Sequence, residues 1–212
     1  MKIALINGSQ KTGESNSGII LDRIKNLISG KHEVEIYNSG INLFTEETFK
    51  NIVRSDAIVL AFPLFVYSVP SHTLKMLIEL ENVIKLEKAD GLVMYTIVNC
   101  GFYEGKQSDA AFKIMENWCE HSGVKFGGGI GQGAGEMLGR IKDIPLNKGP
   151  FNNLERALQG MVEKMELKET FETMYLSPLF PQFLFKIFAT RHWNSLAGKN
   201  GLKKKDIKRK LY

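Results

Sequence analysis

The chain has 212 residues, 43% hydrophobic and 24% charged, a composition typical of a globular domain and not of a disordered segment. Its longest uncharged run, 57–74, is interrupted by Pro63 and Pro70 and is therefore not suited to span a membrane. The N-terminal sequence turns polar after Ile6, without the apolar stretch of a secretory signal, and we expect a cytoplasmic protein.

The formal net charge of +5 is unevenly distributed. Residues 186–212 hold nine lysines or arginines and one acid, Asp206, so this segment carries +8 and the rest of the chain about −3. Such a run can bind nucleic acid or anionic lipid, but a solvated helix face or an oligomer contact is the commoner role. We therefore predict no nucleic-acid partner.

The cysteines and histidines do not form a metal-binding pattern. Cys100 and Cys119 make no C-x-x-C pair, and we expect both to be free thiols. Four histidines are scattered without the i, i+4 spacing of a zinc helix: His32, His72, His121 and His192. We predict no metal site.

Apolar runs alternate with helical patterns along the chain. The continuous runs at 3–6, 57–62 and 92–98 predict strands buried on both faces, and shorter runs at 34–37 and 124–126 predict two more. Helical spacing of apolar residues follows each of the five, with candidate N-caps at Ser15, Asn16, Ser17 and Thr45. This alternation predicts an α/β fold with a parallel sheet covered by helices on both faces.

Ligands of such sheets bind outside the carboxyl ends of the strands, where the strand order reverses. The loops at 8–17, 63–70 and 99–105 follow the first, third and fourth strands and should form one mouth. The first loop offers Ser, Thr and Asn side chains and Lys11 at a helix start, which is typical of a phosphate site. Gly8 and Gly13 have the spacing of a nucleotide-binding P-loop, but Glu14 replaces its lysine.

The second and third loops are apolar and aromatic where surface loops are usually polar. The second carries Phe65 and Tyr67 between prolines, which suits either a flat ring system or a subunit contact. In the third, Gly101 lets the backbone approach a ligand, and Cys100 is better interpreted as a small buried residue than as a redox thiol. The G-x-G-x-x-A pattern at 129–134 follows the fifth strand, and we interpret it as a turn.

Together these residues resemble the flavodoxin-like NAD(P)H-dependent FMN reductases, a family of NAD(P)H-dependent oxidoreductases. The resemblance covers residues 1 to about 165 and rests on the following positions: Gly8-Ser9, Asn16-Ser17, Phe62-Pro63-Leu64-Phe65, Pro70, Lys75, Asn99-Cys100-Gly101-Phe102 and Gly131-Gln132-Gly133-Ala134-Gly135-Glu136. It implies a three-layer, doubly wound fold with a five-stranded sheet in the order 2-1-3-4-5. The sequence lacks the cysteine cluster of related iron–sulfur flavoproteins near 45–60.

The resemblance also implies an FMN site. The residues that would hold the phosphate are Ser9, Lys11, Ser15, Asn16 and Ser17. Those that would contact the ring are Pro63, Leu64, Phe65 and Val66 on one side and Asn99, Cys100, Gly101 and Phe102 on the other, with the backbone amides of 99–102 stabilising the reduced ring. No side chain would be catalytic, because the flavin carries the chemistry.

The expected function is hydride transfer from NADPH or NADH to FMN and reduction of a small acceptor such as a quinone, azo or nitro compound or a flavin. One alternative is a flavodoxin-type electron carrier reduced by a partner protein, against which the pI of about 9.1 argues. Another is a flavin- or nucleotide-sensing module that docks through its basic tail.

The chain is expected to divide into a flavodoxin-like FMN-binding domain, 1–170, and a C-terminal extension, 171–212, first apolar and then basic. We expect the extension to be helical and to pack on the domain or on a second subunit of a homo-oligomer, a dimer or tetramer. Membrane contact through this tail is the less favoured alternative.

Overall fold

The computed structural model describes residues 1–40, 44–141, 144–203 and 206. A parallel sheet in the order β2-β1-β3-β4-β5-β6 forms its centre. The strands are β1 Lys2–Asn7, β2 Glu33–Asn38, β3 Ala57–Pro63, β4 Val93–Asn99, β5 Lys125–Gln132 and β6 Met174–Leu176. The helices are α1 Asn16–Ile28, α2 Glu46–Val53, α3 Ser71–Glu87, α4 Asp109–Ser122, α5 Asn152–Glu166 and α6 Gln182–Lys199.

The predicted order of the first five strands is confirmed, but the sheet has six strands, so the prediction of five is wrong. The additional strand, β6, pairs in parallel with β5 from Ile130 opposite Met174 to Gln132 opposite Leu176. It lies in the segment that the sequence analysis assigned to the extension. A strand of three residues is too short to show the alternation by which strands are recognised in a sequence.

β5 extends beyond the predicted 124–126. Its three consecutive glycines, 127–129, have low strand propensity, so the sequence does not indicate that the strand continues. A Cβ at Gly127 would lie 2.4 Å from the Tyr95 ring, and one at Gly129 would lie 2.4 Å from the Phe112 ring. Rings from neighbouring elements thus fill the space that side chains of β5 would need. Residues 129–132 therefore belong to the strand, and of the pattern interpreted as a turn only 133–134 lie beyond it.

The helices cover both faces of the sheet. α2, α3 and α4 pack over one face around a core that includes Ile58, Leu60 and Phe62 of β3. α1 and α5 lie together against the other face. Arg23 of α1 donates from Nε to Oε2 of the buried Glu155 of α5 at 2.6 Å, and this ion pair fixes the position of α1 relative to its neighbour.

The chain divides into two compact units, one formed by residues 1–178 and one that begins at residue 179. The second contains α6. Of the predicted C-terminal extension, residues 204, 205 and 207–212 lie outside the described residues. Among the described helices, none combines the length and the apolar character needed to cross a bilayer.

Candidate functional site

The carboxyl ends of β1, β3 and β4 meet at one edge of the sheet, and their loops enclose a groove of about 180 Å³. The groove is lined by Ser9, Gln10, Lys11, Asn16, Ser17, Pro63, Leu64, Phe65, Asn99, Gly101 and Glu136. The structure therefore brings the three predicted loops together. Four of the predicted site residues do not line the groove: Ser15, Val66, Cys100 and Phe102.

Ser15 caps the N-terminus of α1. Its Oγ accepts a hydrogen bond from the Gly18 amide at 3.0 Å and one from Asn7 Nδ2 at 3.2 Å. Ser and Thr commonly satisfy the unpaired amides of a first helical turn in this way. The predicted cap is thus confirmed, and in this structure the Ser15 hydroxyl is engaged by the helix start and by Asn7.

Asn7 and Gly8 organise the first loop, and the sequence analysis did not single out Asn7. Its Oδ1 accepts from the Ser9 amide at 3.0 Å. The Gly8 carbonyl accepts from Thr73 Oγ1 at 3.2 Å and lies 2.9 Å from His72 Nε2, at the start of α3. The loop is therefore fixed at two successive residues. The available signal was an asparagine at the end of an otherwise apolar strand.

The second loop makes a tight turn with an unusual backbone. Phe65 and Ser68 exchange two backbone hydrogen bonds, of 3.1 and 2.9 Å, across Val66 and Tyr67. Both central residues have positive φ, 49° and 61°, as in a two-residue type I′ turn. Val66 is 94% exposed, so no packing compensates a conformation that a β-branched residue rarely adopts.

We expect Val66→Asn to stabilise the protein by about 1 kcal/mol, because asparagine tolerates the left-handed conformation better than other residues with a side chain. Val66→Thr is the matched control, since threonine is equally β-branched but polar and should give no gain. Urea unfolding of the three proteins measures the effect. An equal gain for both variants would show that surface polarity, and not backbone strain, limits stability at this turn.

The third loop begins with Asn99, which joins three elements of the site. Its Nδ2 donates to Ser17 Oγ of α1 at 2.8 Å and to the Phe62 carbonyl of β3 at 3.2 Å. Its own carbonyl accepts from the Leu64 amide at 2.8 Å. Asn99 is 5% exposed, so these bonds lie where water cannot easily replace them. It thus holds the helix start and the second loop in place.

Cys100 is buried within the same loop. Its Sγ lies 3.8 Å from the Phe102 carbonyl and 3.6 Å from the Glu104 carbonyl. Burial raises the pKa of the Cys100 thiol and so favours its neutral form. Its amide donates to the Gln132 carbonyl at 3.0 Å. The Cys100 amide is therefore engaged by β5 in this structure, and a role of the other amides of 99–102 toward a reduced ring stays a prediction.

Two aromatic rings stack beside the groove. The Tyr67 and Phe102 rings have centroids 5.1 Å apart and an interplanar angle of 23°. Each residue is about half exposed. They connect the second and third loops and present flat apolar surface at the site, a surface suited to a planar molecule.

Residues 135–140 close the groove on a side that the sequence analysis did not include. Glu136 lines it, and its Oε1 lies 3.1 Å from the point where a Cβ at Gly101 would be. Asn16 Oδ1 accepts from the Gly139 amide at 3.0 Å, which ties this segment to α1. Glu136 belongs to the run that carries the family resemblance, but its place beside Gly101 depends on the path of the chain after β5.

No protein-family model matches the sequence, and no curated protein matches it. Solved structures do match. A flavodoxin from Streptococcus pneumonia TIGR4 superposes with a TM-score of 0.57 at 10% identity, over 79% of this chain and 99% of the flavodoxin.

Two oxidoreductase structures are similar to the chain at the same level. One is an apo-form NADH:FMN oxidoreductase, with a TM-score of 0.59 at 10% identity, over 80% of this chain and 90% of the other. The second is described as an NADPH-quinone reductase from P. pentosaceus, with a TM-score of 0.52 at 15% identity, over 75% and 96% of the two chains. The chain thus has the flavodoxin-like α/β fold, with a sixth strand at the β5 edge of its sheet.

Proposed function

We propose that the chain binds FMN in this groove and is an oxidoreductase that takes hydride from NAD(P)H and reduces a small acceptor. The observation that carries the proposal is the two-part character of the groove. Its lining joins Lys11 and the hydroxyls of Ser9 and Ser17, which belong to the first loop and the start of α1, with the apolar run 63–65 of the second loop, and Glu136 lines it as well. FMN has a matching anionic phosphate and flat apolar ring.

Each part of the groove has a role in this proposal. The start of α1 presents unpaired amides and a positive dipole end, to which Lys11 adds a full charge, so this end would hold the phosphate. Pro63, Leu64 and Phe65 would exclude water from one face of the ring, and the Tyr67–Phe102 stack would offer a flat surface to a second planar molecule. When bound, FMN supplies the hydride and electron transfer chemistry.

The test is to reconstitute the protein with FMN, remove the excess by desalting, and record the visible absorption spectrum anaerobically before and after NADPH, and separately NADH, is added. We expect a retained flavin band that at least one nicotinamide bleaches. A retained band that neither one bleaches would favour the electron-carrier alternative. Loss of the band on desalting would contradict the cofactor assignment.

A substitution of Lys11 tests whether the FMN phosphate binds at the first loop. Lys11→Gln should weaken FMN binding about fivefold to tenfold, the effect of removing one charge-assisted contact, and should leave riboflavin binding unchanged because riboflavin has no phosphate. Lys85→Gln, an exposed lysine on α3 paired with Glu81, is the control and should change neither affinity. Equal losses for the two ligands would place the phosphate elsewhere.

A further inference from the structure

Two charged side chains line the groove among the described residues, and their charges have opposite signs. Lys11 belongs to the first loop, and Glu136 belongs to the short helical segment Gly135–Arg140 that follows β5. Both side chains are exposed, and no ion pair within the described part of the chain includes either of them. If FMN binds as proposed, its phosphate neutralises Lys11, and the negative charge of Glu136 remains uncompensated.

Backbone contacts hold Glu136 against the third loop. The Gly135 amide donates to the Cys100 carbonyl at 2.7 Å. On the other side of Glu136, the Leu138 side chain is 1% exposed and anchors the segment in the core. Glu136 Oε1 lies 3.1 Å from the place that a Cβ on Gly101 would take. The carboxylate is therefore positioned beside the part of the third loop that lines the groove.

The negative charge of Glu136 acts on the third loop. Burial is the main cause of the raised pKa of the Cys100 thiol, and the Glu136 carboxylate raises this pKa further. An anion that forms beside the third loop is disfavoured by the same interaction. At the first loop the opposite holds, because Lys11 and the start of α1 attract anions. The two charges thus give the groove a polarity that a neutral lining would not have.

We propose that Glu136 lowers the reduction potential of the flavin held in this groove. The inference rests on the proposed function. Hydride from NAD(P)H brings two electrons and one proton to the ring and leaves NAD(P)⁺, so the ring gains one negative charge unless a second proton follows. A carboxylate that lines the same groove makes this charged form less stable and hardly affects the uncharged oxidised ring. The bound flavin is thereby a stronger reductant for its acceptor.

The experiment is an anaerobic measurement of the reduction potential of the FMN-loaded protein, by equilibration with a reference dye of known potential. Glu136→Gln removes the charge and keeps the shape of the side chain. At a given potential it should increase the ratio of reduced to oxidised flavin about tenfold, which for a two-electron couple raises the reduction potential by about 30 mV. Glu136→Asp keeps the charge and should keep a potential close to that of the parent protein.

Glu163→Gln is the matched control, because Glu163 is an exposed residue of α5 that does not line the groove. Its potential should equal that of the parent protein. An unchanged or lower potential in Glu136→Gln, with FMN bound, would overturn this inference and leave the proposed function intact. An equal rise in Glu136→Asp or in Glu163→Gln would also overturn it, because the effect would not come from a charge in the groove. Failure of the parent protein to retain FMN would instead overturn both.

Discussion

Gly105→Ala is expected to destabilise the protein by about 3 kcal/mol or more, as severe overpacking does. Gly105 begins a short helical turn that rests on the edge of the sheet. A Cβ there would lie 2.0 Å from the Gly131 carbonyl oxygen of β5 and 2.7 Å from the Leu176 oxygen of β6. Both obstacles are backbone atoms that cannot rotate away, so the third loop must shift relative to the sheet.

Gly160→Ala is the matched control for this experiment. Gly160 lies within α5, and nothing approaches within 4 Å of the place its Cβ would take. Alanine there should stabilise the protein by about 0.5–1 kcal/mol, because it restricts the unfolded chain and favours the helix. Urea unfolding measures both variants. Similar stability of Gly105→Ala and the parent protein would mean that the third loop adapts easily and does not depend on close backbone contact.

Asn99→Ala is expected to affect both stability and the groove. The substitution leaves the Ser17 hydroxyl and the Phe62 carbonyl without their shared donor in a buried position. We expect a loss of about 3 kcal/mol in the free energy of unfolding, since each unsatisfied buried group costs about 1–3 kcal/mol. If the groove binds FMN as proposed, its affinity should fall at least about tenfold, because Ser17 and the second loop lose their common support.

Two further variants sharpen the interpretation. Asn99→Asp has the same shape but no amide donor, so it should be as destabilising as Asn99→Ala if the donated hydrogen bonds matter. Asn200→Ala removes an exposed amide bond to the Leu196 carbonyl and should change stability by less than about 0.5 kcal/mol. Loss of FMN affinity in Asn99→Ala without loss of stability would instead indicate that Asn99 contacts the ligand directly.

The first five strands could be predicted because they carry their own signal, whereas their order in the sheet was implied by the family resemblance. Runs such as 3–6 and 57–62 are apolar at every position, as strands covered on both faces must be. Short helical patterns between them force parallel crossovers. Ser15 and Thr45 could be identified as caps for a similarly local reason, since the side chain that caps is the residue just before the helix.

The edge of the sheet could not be predicted from local patterns. In β5 the glycines at 127–129 have low strand propensity, and they are strand residues only because rings of Tyr95, Phe112 and Phe171 occupy the space above them. That arrangement depends on residues from 17 to 43 positions away in the sequence, a distance over which no periodicity operates. β6 in turn forms by pairing with the edge of β5 that β4 does not cover.

The sequence was enough to predict that three loops meet at the site, but not which hydrogen bonds form within it. Strand ends in a parallel sheet share an edge, so the loops at 8–17, 63–70 and 99–105 had to converge. Which polar group serves the fold and which remains for a ligand depends on hydrogen bonds between distant residues. Asn99 bonds across 82 positions to Ser17, and Asn16 across 123 to Gly139. Residue type alone does not reveal such partners.

The two anchors of the first loop have a thermodynamic consequence. The Ser9 amide is held by Asn7 and the Gly8 carbonyl by Thr73, so this stretch of backbone is ordered by contacts within the protein itself. Fixing the backbone of one residue costs roughly 1–2 kcal/mol in conformational entropy. For these residues that cost falls on the folding of the chain and not on the association of any ligand. A ligand that binds the first loop therefore does not lose free energy to ordering it, as it would with a disordered loop. The same ordering cost lowers the free energy of unfolding of the apoprotein.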